Sequence, residues 1–212
     1  MRTLWIWGAA LLAYAAFWLW YVGWRGPLTH VEVEAQLARL EASALGAAPD
    51  QVEALRAFLA ADDGREFYML NLLRLQPGDV RDPATDAQRP ARKVLEGYTS
   101  EFMPALLRRA GHPALFGRAA GGYVEHWGVE PDPGWSVSGV IRYRSRRDLI
   151  ELATDPRFAG IHANKLAAVA NTLAFPLAPG FVVVGPRVTV ALALALLAAL
   201  AQLALRGSGA GR

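Results

Sequence analysis

The segment EFYMLNLLRL, residues 66–75, decides the fold of this 212-residue chain. It is a near-continuous apolar run of strand length, which is typical of a strand covered on both faces. Asn71 interrupts the run on the face that it shares with Met69 and Leu73, because side chains alternate along a strand. A buried amide is costly unless it is hydrogen-bonded, so Asn71 either closes a structural bond or faces a cavity.

The segments around this strand predict an α+β domain over residues 65–179, preceded by a helical lead-in at 29–61 that begins at the N-cap Thr29. The pattern after the strand predicts a helix at 90–110 closed by Gly111, strands at 114–118, 123–127 and 135–143, helices at 146–153 and 156–170, and a strand at 172–177. Ser145 and Asp155 precede the last two helices as N-caps. This is the ferredoxin-like order β-α-β-β-α-β, with a split second helix and one extra hairpin strand.

The predicted sheet has one covered face and one bare face, because both helices of this pattern pack on the same side. An exposed apolar face needs cover, and a second copy of the chain supplies it through a symmetric contact. We therefore expect a homodimer whose two sheets face each other, which is a dimeric α/β barrel.

An uncharged apolar segment lies at each end of the chain. Residues 3–24 are 22 uncharged residues between Arg2 and Arg25, and residues 188–205 are 18 more. A helix needs about 20 apolar residues to cross the hydrocarbon core of a bilayer. Both segments are therefore predicted to be transmembrane helices, with a short tail at 206–212. The alternatives are a cleaved signal peptide for the first segment and a buried core helix for the second.

The basic and acidic residues balance between these segments, and the excess positive charge lies in the tails. Arg2, Arg206 and Arg212 account for the formal net charge of +3. Binding to nucleic acid needs a basic patch on the domain, so it is excluded. The positive-inside rule favours cytoplasmic tails and an extracytoplasmic domain, but Arg25 and Arg187 flank the other side and leave the orientation open. The absence of cysteine excludes disulfide scaffolds and cysteine-ligated metal sites.

A polar set on the strand at 135–143 defines a candidate pocket. Arg142 alternates with Ser138 along this strand. Asn71 is the polar residue of the first strand, and Ser138 and Arg142 are those of this strand. If all three side chains face the interior, they line one pocket that holds an anionic or carbonyl group. The alternative is an edge strand with a solvated polar face.

Histidines give little indication of metal or cofactor chemistry; they are His30, His112, His126 and His162. No pair has the spacing H-x-x-x-H or H-E-x-x-H, so no metal site is predicted. A single histidine (His112, His126 or His162) could ligate haem iron, although lone histidines are more often packing or surface residues. The sequence has no nucleophile elbow, phosphate-binding loop or dinucleotide fingerprint, so no cofactor is predicted.

One family resemblance follows from YMLNLLRL at 68–75 and the landmarks after it. These landmarks are Tyr98, Gly111, ALFGRA at 114–119, WSVSGVIRYRS at 135–145 and DLIELATDPRF at 148–158. Over about residues 49–179 the chain resembles the longer members of the domain-of-unknown-function 1330 family. The resemblance implies a dimeric α/β-barrel fold and no particular activity, because the family has no agreed reaction. Membrane segments at both ends depart from the usual soluble member.

The candidate ligand-binding residues are therefore Asn71, Tyr98, His112, Ser138 and Arg142, and no catalytic residue is named. The sequence predicts a two-pass membrane protein with a dimeric α/β-barrel domain that binds a small molecule or a partner. One alternative is a haem-dependent or cofactor-free monooxygenase-type enzyme on the same barrel. Another is a structural module that dimerises the membrane segments. The ligand, any reaction and the membrane orientation stay open.

Overall fold

The computed structural model of the chain describes residues 2–42, 49–180, 182 and 185–207. The chain forms two compact units, one from the terminal segments up to Trp24 and from Pro179, the other from Arg25–Ala178. The helices are α1 (Arg2–Val22), α2 (His30–Ala42), α3 (Pro49–Ala60), α4 (Ala91–Arg108), α5 (Arg146–Ala153), α6 (Pro156–Ala168) and α7 (Pro186–Gly207). The strands are β1 (Phe67–Leu75), β2 (Asp79–Arg81), β3 (Gln88–Pro90), β4 (His112–Arg118), β5 (Val137–Tyr143) and β6 (Val169–Leu177).

The Arg25–Ala178 unit is built on a four-stranded sheet with the order β4-β5-β1-β6. Each neighbouring pair in this sheet is antiparallel. The strand β1 is central, as its apolar sequence predicts, and β4 and β6 form the two edges. The predicted α+β class is therefore confirmed.

The predicted strand at 123–127 is wrong, because the segment between β4 and β5 forms a loop instead. The carboxylate of Asp132 organises this loop by accepting hydrogen bonds from the backbone N–H groups of Tyr123 (3.0 Å) and Gly134 (2.8 Å). These backbone groups are then engaged by a side chain rather than by a neighbouring strand. The structure also has a small hairpin of β2 and β3, a segment for which the sequence predicted no strand.

The predicted helix starts are confirmed by their capping bonds. Thr29 and Glu32 form a reciprocal capping box at the start of α2. The hydroxyl oxygen of Ser145 accepts the backbone N–H of Asp148 at 3.1 Å, and Asp155 caps α6 with proline at its first position. These side chains satisfy backbone donors that the helix itself leaves unpaired.

The end of α4 differs from the prediction that Gly111 closes it. Arg109 is the C-cap, and Ala110 takes the left-handed conformation with φ 56°. The N–H of Ala110 bonds to the carbonyl of Leu107, and the N–H of Gly111 bonds to that of Leu106. This is a Schellman motif with alanine in the position that glycine usually occupies. Gly111 is needed for a different reason, since an added Cβ would lie 2.3 Å from Leu106 Cδ1.

One face of the sheet packs against helices and carries the main hydrophobic core. Its buried members are Phe67, Ala105, Leu106, Tyr143, Leu152 and Phe158. The lead-in helices α2 and α3 belong to the same unit and pack through Leu37 and Leu59 against Ile150 of α5. The guanidinium of Arg147 on α5 also pairs with the carboxylate of Glu32 on α2. The helical layer is therefore anchored both by apolar contacts and by an ion pair.

The terminal unit consists of α1 and α7, which are both long and apolar enough to cross a membrane. The indole Nε1 of Trp7 donates a hydrogen bond to Gln202 Oε1 at 2.8 Å. Toward the other end of the pair, the guanidinium of Arg187 lies 5.4 Å from the ring centroids of Trp18 and Tyr21. The two helices are therefore antiparallel. Most of the predicted tail at 206–212 lies outside the described residues, which end at Gly207.

Candidate functional site

The register of the sheet separates the residues that the sequence predicted to share a pocket. Tyr68 is opposite Arg142, and Leu72 is opposite Ser138, whereas Asn71 is opposite Gly139. Opposed residues on antiparallel strands share a face, and neighbours along one strand do not. Asn71 therefore lies on the helix-covered face, and Ser138 and Arg142 lie on the other face. The register therefore does not bring Asn71 into one pocket with Ser138 and Arg142.

Asn71 forms structural bonds with the backbone of the sheet. Its side-chain Nδ2 donates to the carbonyl oxygen of Met69 at 3.0 Å and lies 3.5 Å from that of Gly139. The amide of a half-buried asparagine is thus partly satisfied by the strand on which it stands and by the neighbouring strand. This arrangement favours the structural alternative for Asn71.

Arg142 is fully buried and holds two parts of the fold together. Its Nε and Nη2 donate to Glu66 Oε2 at 2.8 and 2.6 Å. Its Nη1 donates to the carbonyl oxygen of Ala110 at 2.6 Å, at the left-handed end of α4. A guanidinium engaged by a carboxylate and a carbonyl in the interior is a structural group rather than one presented to a ligand.

Ser138 and His112 also lie apart from each other and from a common pocket. Ser138 is four residues from Arg142 along β5, which is about 13 Å in an extended strand. His112 begins the edge strand β4, where its Nδ1 lies 2.9 Å from the carbonyl oxygen of Pro113. These two candidates therefore do not assemble a binding site.

Tyr98 is the predicted residue around which other functional groups gather. Its ring lies 6.2 Å from the imidazole of His162 and 5.4 Å from the ring of Phe102, on which it stacks. The ammonium nitrogen of Lys165 lies 6.0 Å from the centroid of the Tyr98 ring. Tyr98 and Phe102 are four residues apart on α4, and His162 and Lys165 are three apart on α6, so each pair occupies one helix face.

Two more polar residues belong to this group. Tyr143 is a buried residue at the end of β5, and the negative charge of an ionised Tyr98 raises the pKa of its phenol. The side chain of Asn164 is buried against Gly97, where an added Cβ would lie 2.8 Å from its Nδ2. We call these five residues the Tyr98 cluster: Tyr98, Tyr143, His162, Asn164 and Lys165.

The side-chain donors of the Tyr98 cluster lack partners within the described part of the chain. No hydrogen bond or ion pair there involves the hydroxyls of Tyr98 and Tyr143, the amide of Asn164 or the ammonium of Lys165. None of these donor atoms is a fully buried atom without a partner, so solvent reaches them in the described part of the chain. A bound molecule that replaces this solvent accepts hydrogen bonds from the group.

Burial controls the protonation of the Tyr98 cluster. Burial raises the pKa of Tyr98 to about 12. Burial also raises the pKa of Tyr143, and the negative charge of an ionised Tyr98 raises it further. Burial lowers the pKa of Lys165, and burial together with the Lys165 charge lowers the pKa of His162. At neutral pH the phenols are therefore hydrogen-bond donors and His162 is mainly a neutral imidazole.

Sequence reasoning missed Tyr143, Asn164 and Lys165, and it considered His162 only as a single haem ligand. A signal for Lys165 was available, because it is the only charged residue between Arg157 and Arg187. A lone lysine within a long uncharged stretch is a candidate for a functional group. The proximity of Tyr98 and Tyr143 depends on how α4 packs on the sheet, which no local pattern reveals.

Other places in the described residues offer less chemistry. No group of three His, Cys, Asp or Glu residues there could hold a metal ion. An open depression of about 720 Å³ is lined by Arg118, Ala119, Ala120, Trp135 and Ser136. It lies at the start of β5, whereas Tyr143 ends that strand. The Tyr98 cluster is therefore a separate and chemically richer site.

Comparisons with known proteins show a shared fold and no activity. The crystal structure of methylated RPA0582 matches with a TM-score of 0.52 and 21% identity, over 66% of this chain and 96% of that chain. A second crystal structure of RPA0582, a protein of unknown function from Rhodopseudomonas palustris, matches with a TM-score of 0.51 and 21% identity, over 65% and 98% of the two chains. No family model and no curated protein matches the chain.

Proposed function

We propose that this chain is a two-pass membrane protein whose Arg25–Ala178 unit is a ferredoxin-like, dimeric α/β barrel that binds a small molecule. The observation that carries the proposal is the Tyr98 cluster, in which several donors have no partner among the described residues. A ligand that bonds to these donors recovers interactions that the protein does not make for itself.

The composition of the surroundings supports a small organic ligand. Phe102 stacks on Tyr98 and lies edge-to-face with Phe158, at a centroid distance of 6.4 Å. Small-molecule sites are mostly apolar and aromatic, with a few converging polar groups that fix orientation. The aromatic rings and the unpaired donors around Tyr98 match this description.

The strand order supports the ferredoxin-like part of the proposal. The main elements follow one another as β-α-β-β-α-β when α5 and α6 count as one split helix. The first and last of these strands are neighbours in the order β4-β5-β1-β6, with all pairs antiparallel. This is the arrangement that two interlocked βαβ halves produce.

The open face of the sheet supports a second copy of the chain as its cover. We define this face by its apolar side chains, which are Leu70, Leu72, Leu115, Val140, Leu173, Phe175 and Leu177. Leu115 is 61% exposed and Phe175 is 53% exposed. The apolar side chains of two such faces can pack about 10 Å apart in a symmetric contact. Anchoring in one bilayer raises the local concentration of copies and favours this pairing.

Titration calorimetry with benzamide, on the full chain in lipid nanodiscs, tests ligand binding. We expect saturable binding by the wild type and a loss of affinity of about tenfold in the double variant Tyr98→Phe/Tyr143→Phe, which keeps both rings but removes two hydrogen bonds. The matched control Tyr123→Phe alters an exposed tyrosine and should bind like the wild type. Absence of saturable binding of both benzamide and benzoate would overturn the proposal, as would equal affinities in the wild type and the double variant.

A further inference from the structure

Among the described residues, Lys165 is a cation without an ion-pair partner. The helix α6 that carries it contains no acidic residue, and neither do the strands β1, β5 and β6. The acids of the facing helix α4 are Glu96 and Glu101, which are both exposed. Glu96 is also paired with Lys93 at 2.8 Å. Lys165 therefore forms no ion pair with any carboxylate of the described residues.

A partly desolvated ammonium strongly favours an anionic partner. Removing a charge from water is costly unless an opposite charge or several hydrogen bonds replace the water. Lys165 has the aromatic ring of Tyr98 within cation–π range, at 6.0 Å, but a ring face is a weaker partner than a carboxylate. The missing partner is therefore an anion that comes from outside the described residues.

The neighbouring groups favour a carboxylate among the possible anions. A carboxylate has two oxygens that together accept about four hydrogen bonds. The ammonium of Lys165 lies 6.0 Å from the centroid of the Tyr98 ring, and both the ammonium and the phenol are donors without a hydrogen-bond or ion-pair partner among the described residues. The rings of Phe102 and Phe158 beside them suit an apolar body attached to the carboxylate.

We infer that the ligand of the Tyr98 cluster is a small carboxylate with an apolar body, and that its carboxylate pairs with the ammonium of Lys165. This inference rests on the proposed function and names the chemical class of its ligand. It also assigns Lys165 as the residue that discriminates an anionic ligand from a neutral molecule of the same shape.

The test compares benzoate with benzamide, which have nearly the same shape but differ in charge, by titration calorimetry of the full chain in nanodiscs. We expect the wild type to prefer benzoate by about tenfold, as a charge-assisted hydrogen bond exceeds a neutral one. Lys165→Gln should lose this preference while it still binds benzamide. Lys165→Arg should keep the preference, and the control Lys93→Gln, at an exposed lysine on α4, should behave like the wild type.

The outcomes separate this inference from the proposed function. Equal affinities for benzoate and benzamide in the wild type would overturn the inference and leave small-molecule binding intact. A benzoate preference that persists in Lys165→Gln, or that disappears equally in Lys93→Gln, would also overturn it. Failure of both ligands to saturate the wild type would overturn the proposed function together with the inference.

Discussion

The guanidinium of Arg142 donates two hydrogen bonds to one carboxylate oxygen of Glu66, at 2.8 and 2.6 Å. Glu66 immediately precedes β1, and Arg142 is near the end of β5, so the pair links the two central strands of the sheet. The same guanidinium binds the carbonyl of Ala110 and thereby fixes the end of α4. Arg142 was predicted from the sequence to bind a ligand, but in the structure it links β1, β5 and the end of α4 by hydrogen bonds.

Replacing Arg142 with methionine should destabilise the protein by about 3–5 kcal/mol, because it leaves the carboxylate of Glu66 and the carbonyl of Ala110 without their donor in a largely buried place. Denaturant unfolding of the full chain in detergent, followed by circular dichroism, measures the change. The exposed Arg118→Met serves as the control and should change the free energy of unfolding by less than about 0.5 kcal/mol. Equal stabilities of Arg142→Met and the wild type would show that the ion pair has no structural role.

Gly111→Ala should destabilise the protein by about 1–3 kcal/mol, which is the usual cost of overpacking. The added methyl would lie 2.3 Å from Leu106 Cδ1 and 3.0 Å from the carbonyl oxygen of Arg142. Leu106 is buried and packed in the main core. Gly117→Ala on β4 is the matched control, since a methyl group added there would meet nothing within 4 Å. The same unfolding experiment checks both variants, and equal effects of the two would contradict this explanation.

Acid should remove the stabilisation that Glu32 provides. Hydrogen bonds from Arg147 and from Thr29 lower the pKa of Glu32 from 4.5 to about 2. Because the pKa is lower in the folded state, the stabilisation is present above pH 4.5 and is lost as the pH falls toward 2. Unfolding free energies of the wild type and Glu32→Gln should therefore differ at neutral pH and converge toward pH 2. A difference that stays constant across this range would contradict the prediction, and the exposed Glu125→Gln should show no such convergence.

Phe175→Glu should convert the proposed dimer into a monomer, because it places a charge in the open apolar face where a second copy packs. The side chain is 53% exposed, so the fold itself should survive. Ala174→Glu is the control, since it adds the same charge to β6 at an exposed residue of the opposite face. Sedimentation in detergent at micromolar concentration gives the mass of each variant. A wild type that sediments as a monomer would contradict the dimer.

Local features of the fold were predictable from the sequence, because each depends on a few adjacent residues. The apolar run of β1, the capping box of Thr29 and the Asp155-Pro156 helix start all act through neighbours in the chain. The strand expected at 123–127 failed for a non-local reason. A carboxylate nine residues away, on Asp132, takes the backbone N–H of Tyr123.

The site was much less predictable, because it depends on which faces of separate elements meet. The alternation of side chains along a strand correctly assigned neighbours within β1, and neighbours within β5, to opposite faces of the sheet. It could not show which residues of the two strands share a face. A shift by one residue reverses the face of every side chain, and the register places Asn71 and Arg142 on opposite sides. Tyr98 and Lys165 are 67 positions apart in the sequence and come together only through the packing of α4 on α6.

The most direct test of the account follows the imidazole of His162 by NMR, in histidine-labelled full chain titrated with benzoate. His162 touches the Tyr98 ring, whereas His30 and His126 lie elsewhere on the Arg25–Ala178 unit. The His162 signal, identified by its loss in His162→Gln, should shift saturably while the signals of His30 and His126 stay in place. A His162 signal that stays unmoved up to the solubility limit of benzoate would contradict the assignment of the Tyr98 cluster as the binding site.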